Sequence, residues 1–131
     1  MTNDSNGSTP KVASFDDELF DRILRSVDVG ETIHTLGNGE ANQIVAIDRD
    51  GILVSTMRSK ERGSGAQRVP AWMVTRAWEH LRHHGGLSRE ALTEGLGVNR
   101  SSFVCALLAR FPEIEVAKRK PIQLRLRQKP I

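Results

Sequence analysis

The sequence contains one cysteine, no tyrosine and no long apolar run, and each scarcity excludes a class of protein. Cys105 cannot form an internal disulfide, which excludes a disulfide-stapled scaffold and fits a reducing compartment. A membrane-spanning helix needs about 20 consecutive apolar residues, and no stretch approaches that length. No charged-then-apolar signal is visible near the first residue. The expected location is therefore the cytoplasm, with no membrane partner.

The residue patterns of common enzymes and metal sites are missing as well. There is no paired-carboxylate motif, and the loop at 58–67 lacks the Gly-Lys-Ser/Thr ending of a phosphate-binding P-loop. Ser101 and Ser102 have no histidine or lysine partner for a catalytic triad. Three histidines at helical spacing could approach one metal ion, but no cysteine or acidic cluster nearby adds ligands: His80, His83 and His84. We therefore predict a non-enzymatic protein without a metal or other cofactor.

The positive charge of the chain is concentrated in its second half. Residues 1–30 carry 3 basic and 6 acidic side chains, and residues 31–69 carry 5 of each. Residues 70–131 carry 11 basic and 5 acidic side chains, so they hold all the excess. This asymmetry is typical of a module that meets a polyanion, although many basic domains bind nothing anionic.

The N-terminal half is predicted to hold a flexible tail, a helix and a small sheet. Residues 1–13 are rich in Ser, Asn, Gly and Thr and should form the tail. Residues 14–27 read as an amphipathic helix capped by Ser14. Its apolar stripe either packs on its own domain or docks a second copy or another protein: Phe15, Leu19, Phe20, Ile23, Leu24 and Val27.

Residues 31–69 predict a compact, SH3-like antiparallel meander. Its strands are expected at 32–36, 43–48, 52–57 and 68–69, with the Asp50-Gly51 pair as a hairpin turn. A basic loop with Arg58, Lys60 and Arg62 precedes the last strand. That loop is either a solvated hairpin connection or a contact with a phosphate backbone.

The C-terminal half reads as a helix, a helix-turn-helix and a hairpin. A helix is expected at 70–84, where Gly85-Gly86 ends it. Within 87–108, Ser88 caps a short helix, Gly95-Leu96-Gly97-Val98 forms the turn, and Asn99 caps a helix that runs from 100 to 111.

Two alternating strands, 113–116 and 122–126, then predict a hairpin with a basic tip. The tip carries Lys118, Arg119 and Lys120, and Arg125 lies on the polar face of the return strand. Such a tip either contacts phosphates or keeps an edge hairpin soluble.

About residues 70–127 resemble the winged helix-turn-helix DNA-binding proteins. The matching pattern is Leu-Ser-Arg-Glu, Leu92, Leu96-Gly97-Val98, Asn99-Arg100-Ser101-Ser102, Phe103 and Leu107. The resemblance implies that helix 100–111 is a recognition helix and that the hairpin is a wing. One departure is that the positions expected to face outward after Ser102 are apolar, namely Val104, Cys105, Leu108 and Ala109. Phosphate contacts are therefore expected to dominate over the reading of bases.

Together these features predict an α+β protein with a tail at 1–13, a helix plus meander at 14–69 and a winged helix-turn-helix at 70–131. The expected function is non-enzymatic binding of double-stranded DNA, as a bacterial-type regulator or DNA-targeting module. The alternative is a protein-interaction adaptor that uses helix 14–27 and the apolar recognition helix. The expected DNA contacts are Asn99, Arg100, Ser101, Ser102, Lys118, Arg119, Lys120, Arg125, Arg58, Lys60 and Arg62.

Overall fold

The computed structural model describes residues 11–57, 61, 63 and 65–127, and it has the predicted α+β class. No helix in this part of the chain is long and apolar enough to cross a membrane. In chain order the elements are α1 (Asp17–Ser26), β1 (Thr32–His34), β2 (Ala41–Asp48), β3 (Gly51–Thr56), β4 (Gln67–Pro70), α2 (Ala71–His84), β5 (Gly86–Ser88), a π-helical turn (Ala91–Gly95), α3 (Ser101–Leu108), β6 (Ile114–Arg119) and β7 (Ile122–Leu126).

Helix α1 begins later than predicted and has a different cap. The Asp16 carboxylate accepts a hydrogen bond from the Leu19 N–H at 2.8 Å, so Asp16, rather than Ser14, caps the helix. Ser14 lies before the helix, which begins at Asp17, and the next N–H, that of Phe15, bonds to the Arg49 carbonyl at 2.9 Å. The predicted stripe is otherwise correct at its centre, where Phe15, Leu19, Ile23 and Val27 are buried.

The first sheet is a four-stranded antiparallel meander in the order β1-β2-β3-β4. The Arg49-Asp50 turn joins β2 to β3, as predicted, and Gly51 starts β3 opposite Asp48. Gly51 has φ +155°, and a Cβ at this position would lie 2.3 Å from the Val69 carbonyl oxygen. Only glycine therefore lets β3 approach β4 this closely.

The second sheet has three strands in the order β5-β7-β6, and its first strand was not predicted. Helix α2 ends at Gly85, which adopts a left-handed φ of +78° and donates its N–H to the Leu81 carbonyl. The chain then pairs Gly86–Ser88 with β7, so that Leu87 lies opposite Leu124. The β6–β7 hairpin is thereby fixed against the end of α2.

The helix-turn-helix segment confirms one predicted cap and corrects the other. The Ser88 hydroxyl accepts the Ala91 N–H at 3.0 Å, as expected for the first cap. The next turn is π-helical, because the Leu96 N–H bonds to the Ala91 carbonyl five residues back. Helix α3 is preceded by Arg100 rather than capped by Asn99, and no side chain bonds to its first turn. Its regular part ends at Leu108, three residues earlier than predicted.

The buried residues of both halves form one continuous core, and α3 lies inside it. Strand β1 packs against α3, so the meander covers the helix. Two ion pairs also link the N-terminal half to the C-terminal half: Arg110 lies 2.5 Å from Glu31, and Arg22 of α1 pairs with Glu113. The Arg22 guanidinium also stacks 4.9 Å from the centre of the Trp78 ring. Burial raises the pKa of Glu113, but the hydrogen bond and charge of Arg22 outweigh it, so the net shift is downward.

Candidate nucleic-acid interface

The end of the β6–β7 hairpin carries three consecutive exposed cations. Strand β6 runs three residues further than predicted, so that Lys118 and Arg119 are its last residues and Lys120 lies in the turn. No carboxylate of the described residues lies within ion-pair distance of any of the three. Arg119 donates one weak hydrogen bond, at 3.5 Å, to the Leu36 carbonyl in the N-terminal half. The tip therefore presents uncompensated positive charge to solvent, as the sequence predicted for a wing.

Arg125 of the return strand β7 and Arg127, which directly follows that strand, are both paired with a carboxylate. Both pair with Glu115 of β6, Arg125 through a hydrogen-bonded ion pair and Arg127 at 3.9 Å. Arg125 was predicted to contact DNA, but its charge is already balanced by a neighbouring carboxylate. Its contribution to an anion-binding surface is accordingly smaller than that of the tip.

A groove of about 250 Å³ opens between the hairpin and the turn that joins β1 to β2. The two sides are in close proximity, because a Cβ at Gly37 would lie 3.8 Å from the Arg119 carbonyl oxygen and from Ile122 Cδ1. None of the residues lining it carries a carboxylate: Gly37, Asn38, Arg89, Ser102, Arg119, Lys120, Pro121 and Ile122. The groove, which we call the basic groove, thus combines cations of the helix-turn-helix segment and the hairpin with the polar Asn38 of the β1–β2 turn.

The residues predicted to contact DNA at the start of the recognition helix are only partly accessible. Asn99 is exposed, whereas Arg100 is half-buried and donates to the Gln67 side-chain oxygen at 3.0 Å. Ser102 is half-buried and lines the basic groove. Ser101 is buried, with its hydroxyl 3.0 Å from that of Thr93, so the prediction that it faces DNA is wrong.

The body of α3 is core rather than surface. Val104, Cys105 and Leu108 were expected to face outward, yet each has no exposed area. That expectation is wrong because β1 covers the face that a free winged helix would offer. Burial raises the pKa of the Cys105 thiol to about 12, although the charge of Arg89 acts in the opposite direction. A helix held in this way cannot enter a DNA groove without unfolding the core.

Sequence reasoning missed two residues of the basic groove, Asn38 and Arg89. Asn38 belongs to a Gly-Asn-Gly turn, and Arg89 follows the Ser88 cap, so each has a local explanation that hides its position in space. Only the packing of the meander on the hairpin brings them together. The other predicted basic loop, with Arg58, Lys60 and Arg62, lies outside the described residues.

The histidines of α2 form a pair rather than a cluster. The rings of His80 and His84 lie 4.3 Å apart, while His83 points toward Glu79 at 3.4 Å. Burial, and secondly the charge of His84, lower the pKa of His80. Within the described residues, no group of three or more His, Cys, Asp and Glu side chains is placed to hold a metal ion.

Comparisons with family models, curated proteins and solved structures found no match for this chain.

Proposed function

We propose that this protein binds double-stranded DNA, and that the basic hairpin and the basic groove supply most of its contacts, as phosphate contacts. The observation that carries the proposal is the run Lys118-Arg119-Lys120, exposed at a hairpin tip and free of carboxylate partners among the described residues. The hairpin follows a helix-turn-helix segment, which is the order found in the winged helix-turn-helix proteins that the sequence resembles. Phosphate oxygens are the acceptors that such cations match.

The burial of α3 sets the expected mode of binding. Because the helix body is core, the accessible residues near its start are Asn99, Arg100 and Ser102, and few side chains remain to approach base edges. Binding should therefore vary little with base sequence and strongly with salt, since counterion release accounts for most of the affinity. This property suits a DNA-targeting module or a regulator whose target is selected by a further component.

A matched pair of double variants tests this proposal. Lys118→Ala with Lys120→Ala removes two tip charges and leaves Arg119 with its bond to Leu36. Arg25→Ala with Arg82→Ala removes two exposed charges from α1 and α2. Fluorescence anisotropy with an arbitrary duplex, repeated over a range of salt concentrations, measures the slope of log affinity against log salt. The tip variant should lose about 2 units of slope, at about 0.9 per phosphate contact.

The control variant should keep the slope of the native protein, because its two arginines lie on other surfaces. Equal affinities for the tip variant and the native protein at low salt would contradict the proposal. Equal losses in the two variants would show that net charge alone, rather than the hairpin, drives association.

The adaptor alternative required two free apolar faces, and both are internal. The stripe of α1 is buried at Phe15, Leu19 and Ile23, and the apolar residues of α3 form part of the same core. Of the predicted stripe only Leu24 is exposed, with 46% of its area in solvent. A single exposed leucine is common on protein surfaces and indicates no docking site.

A further inference from the structure

We propose that the basic groove is a discrete binding site for one phosphate group, formed jointly by the two halves of the chain. The proposal deepens the function proposed above, which supplies the phosphate from nucleic acid. The groove is nevertheless testable by itself, because inorganic phosphate carries the same chemistry. The proposal depends on the orientation of Asn38, on the charges around it and on the size of the groove.

The hydrogen bonds around Asn38 fix its side-chain amide as a donor toward solvent. The hydroxyl of buried Thr35 donates to Asn38 Oδ1 at 2.6 Å and accepts the Glu40 N–H at 2.9 Å. The amide oxygen, rather than the nitrogen, lies against Thr35 because it gives the buried hydroxyl proton of Thr35 an acceptor. The Nδ2 group makes no hydrogen bond to any other described residue. It is therefore left to donate to a ligand.

The remaining polar groups of the groove are donors of the same kind. Arg89 and Arg119 come from the helix-turn-helix and the hairpin, and neither has a carboxylate partner among the described residues. Lys120 adds a third cation at the rim, and Ser102 supplies a hydroxyl. Ionised donors form the strongest hydrogen bonds with phosphate oxygens, and a lining without a carboxylate repels no anion.

The size of the groove limits what can enter. Its volume of about 250 Å³ lies below the roughly 300 to 1,000 Å³ of pockets that enclose drug-sized ligands. A phosphate with its attached sugar is an appropriate size for this volume. A phosphate held there would contact Asn38 of the meander, Arg89 of the helix-turn-helix and Arg119 of the hairpin. The meander would thus both cover α3 and complete an anion site.

The experiment is an NMR titration of the full chain with inorganic phosphate at constant ionic strength, with chloride as the reference ion. The side-chain amide of Asn38 should shift and saturate with phosphate and stay unchanged with chloride. Arg89→Gln should weaken phosphate binding about tenfold, the usual loss for one charge-assisted hydrogen bond. Asn38→Asp should abolish it, because a carboxylate replaces a donor at the same position.

The matched control is Lys118→Gln, which removes a charge from the hairpin outside the groove and should leave the phosphate titration unchanged. Unsaturated shifts, or equal weakening in Lys118→Gln and Arg89→Gln, would overturn the site and leave only a diffuse positive surface. A duplex with or without 5′-phosphates identifies the source. If the Asn38 side-chain resonance shifts equally with both duplexes, the groove binds a backbone phosphate. If it shifts only with the 5′-phosphorylated duplex, the groove binds a terminal phosphate.

The two proposals fail in different ways. Saturable phosphate binding together with an unchanged DNA affinity of Lys118→Ala, which lies outside the groove, would retain the groove and reject the exposed hairpin surface as a DNA contact. A salt slope that depends on Lys118 and Lys120, without a response of Asn38 to phosphate, would retain DNA binding and reject the groove.

Discussion

Helix α3 and the β6–β7 hairpin are neighbours in the chain and have opposite positions in the structure. Both were predicted to contact DNA on the same resemblance. The helix is core, with Val104, Cys105 and Leu108 without exposed area, whereas Lys118 and Lys120 at the hairpin tip are exposed. Of these two elements, the one at the surface is therefore the hairpin, which carries the run of positive charges.

The difference shows which sequence property predicts exposure. Caps and turns predict that a helix exists, but they do not say what packs on it. The residues of α3, Ser101–Leu108, are apolar on every side after the first turn, which is typical of a helix buried all round. The hairpin tip has three consecutive charges, which remain in solvent because burying them unpaired costs several kcal/mol each.

The largest expected effect comes from placing a charge in α3. Leu108→Glu should strongly destabilise the fold, since an unpaired carboxylate would enter the core at a site without exposed area. The loss should be about 3 kcal/mol or more, against a typical total of about 5 to 15 kcal/mol. Thermal unfolding followed by circular dichroism measures it.

The matched control is the same substitution on α1. Leu24→Glu places the carboxylate at a side chain with 46% exposure, so its effect should stay within about 0.5 kcal/mol. If Leu108→Glu unfolded cooperatively with a melting temperature near that of the native protein, Leu108 would be at the surface. The contrast between a buried α3 and an exposed hairpin would then be wrong.

The burial of α3 should also protect Cys105, the single cysteine of the sequence, from alkylation. Alkylation requires the thiolate, and burial raises the pKa of Cys105 to about 12, so a maleimide at pH 8 should modify it only through transient opening. Ser102→Cys supplies the control, a second thiol one turn earlier and half-buried in the groove. Intact mass should show one rapid adduct, and peptide mapping should place it at position 102. Rapid labelling of Cys105 in the native protein would contradict the buried helix.

Much of the fold was predictable because its signals are local. Alternation located the strands of the meander and the hairpin, and the Asp50-Gly51 turn and the Ser88 cap lie where local chemistry requires them. Strand β5 was not predicted because three residues are too few to show an alternation of apolar and polar side chains. It forms by pairing with β7, which is distant in the sequence. The cap of α1 was misplaced because Ser14 and Asp16 are both good caps, and tertiary contacts select between them.

The residues of the candidate site likewise fall into those that local sequence predicts and those that only tertiary packing brings together. Lys118, Arg119 and Lys120 are consecutive, so the sequence alone identified them as a cluster. Asn38 and Arg89 join the same surface through packing between segments that lie far apart, such as Leu36 and Arg119, 83 positions apart. Periodicity and spacing hold no information about contacts of that range, so the groove required the structure.

The smallest expected effect separates two cations within the hairpin itself. Lys118 has no carboxylate partner among the described residues, so Lys118→Ala should lower the salt slope of DNA binding by about 1 unit. Arg125 is paired with Glu115, and a phosphate would have to compete with that carboxylate. Arg125→Ala should therefore lower the slope and the DNA affinity less than Lys118→Ala does, because Glu115 already balances the Arg125 charge and Arg127 remains beside Glu115 in the variant. Both single variants should be measured against one duplex over the same salt series. If both variants lost the same salt slope, the ion pair of Arg125 with Glu115 would have to open when DNA binds. The exposure of a cation on the hairpin would then predict its contribution to DNA binding better than its pairing in the free protein does.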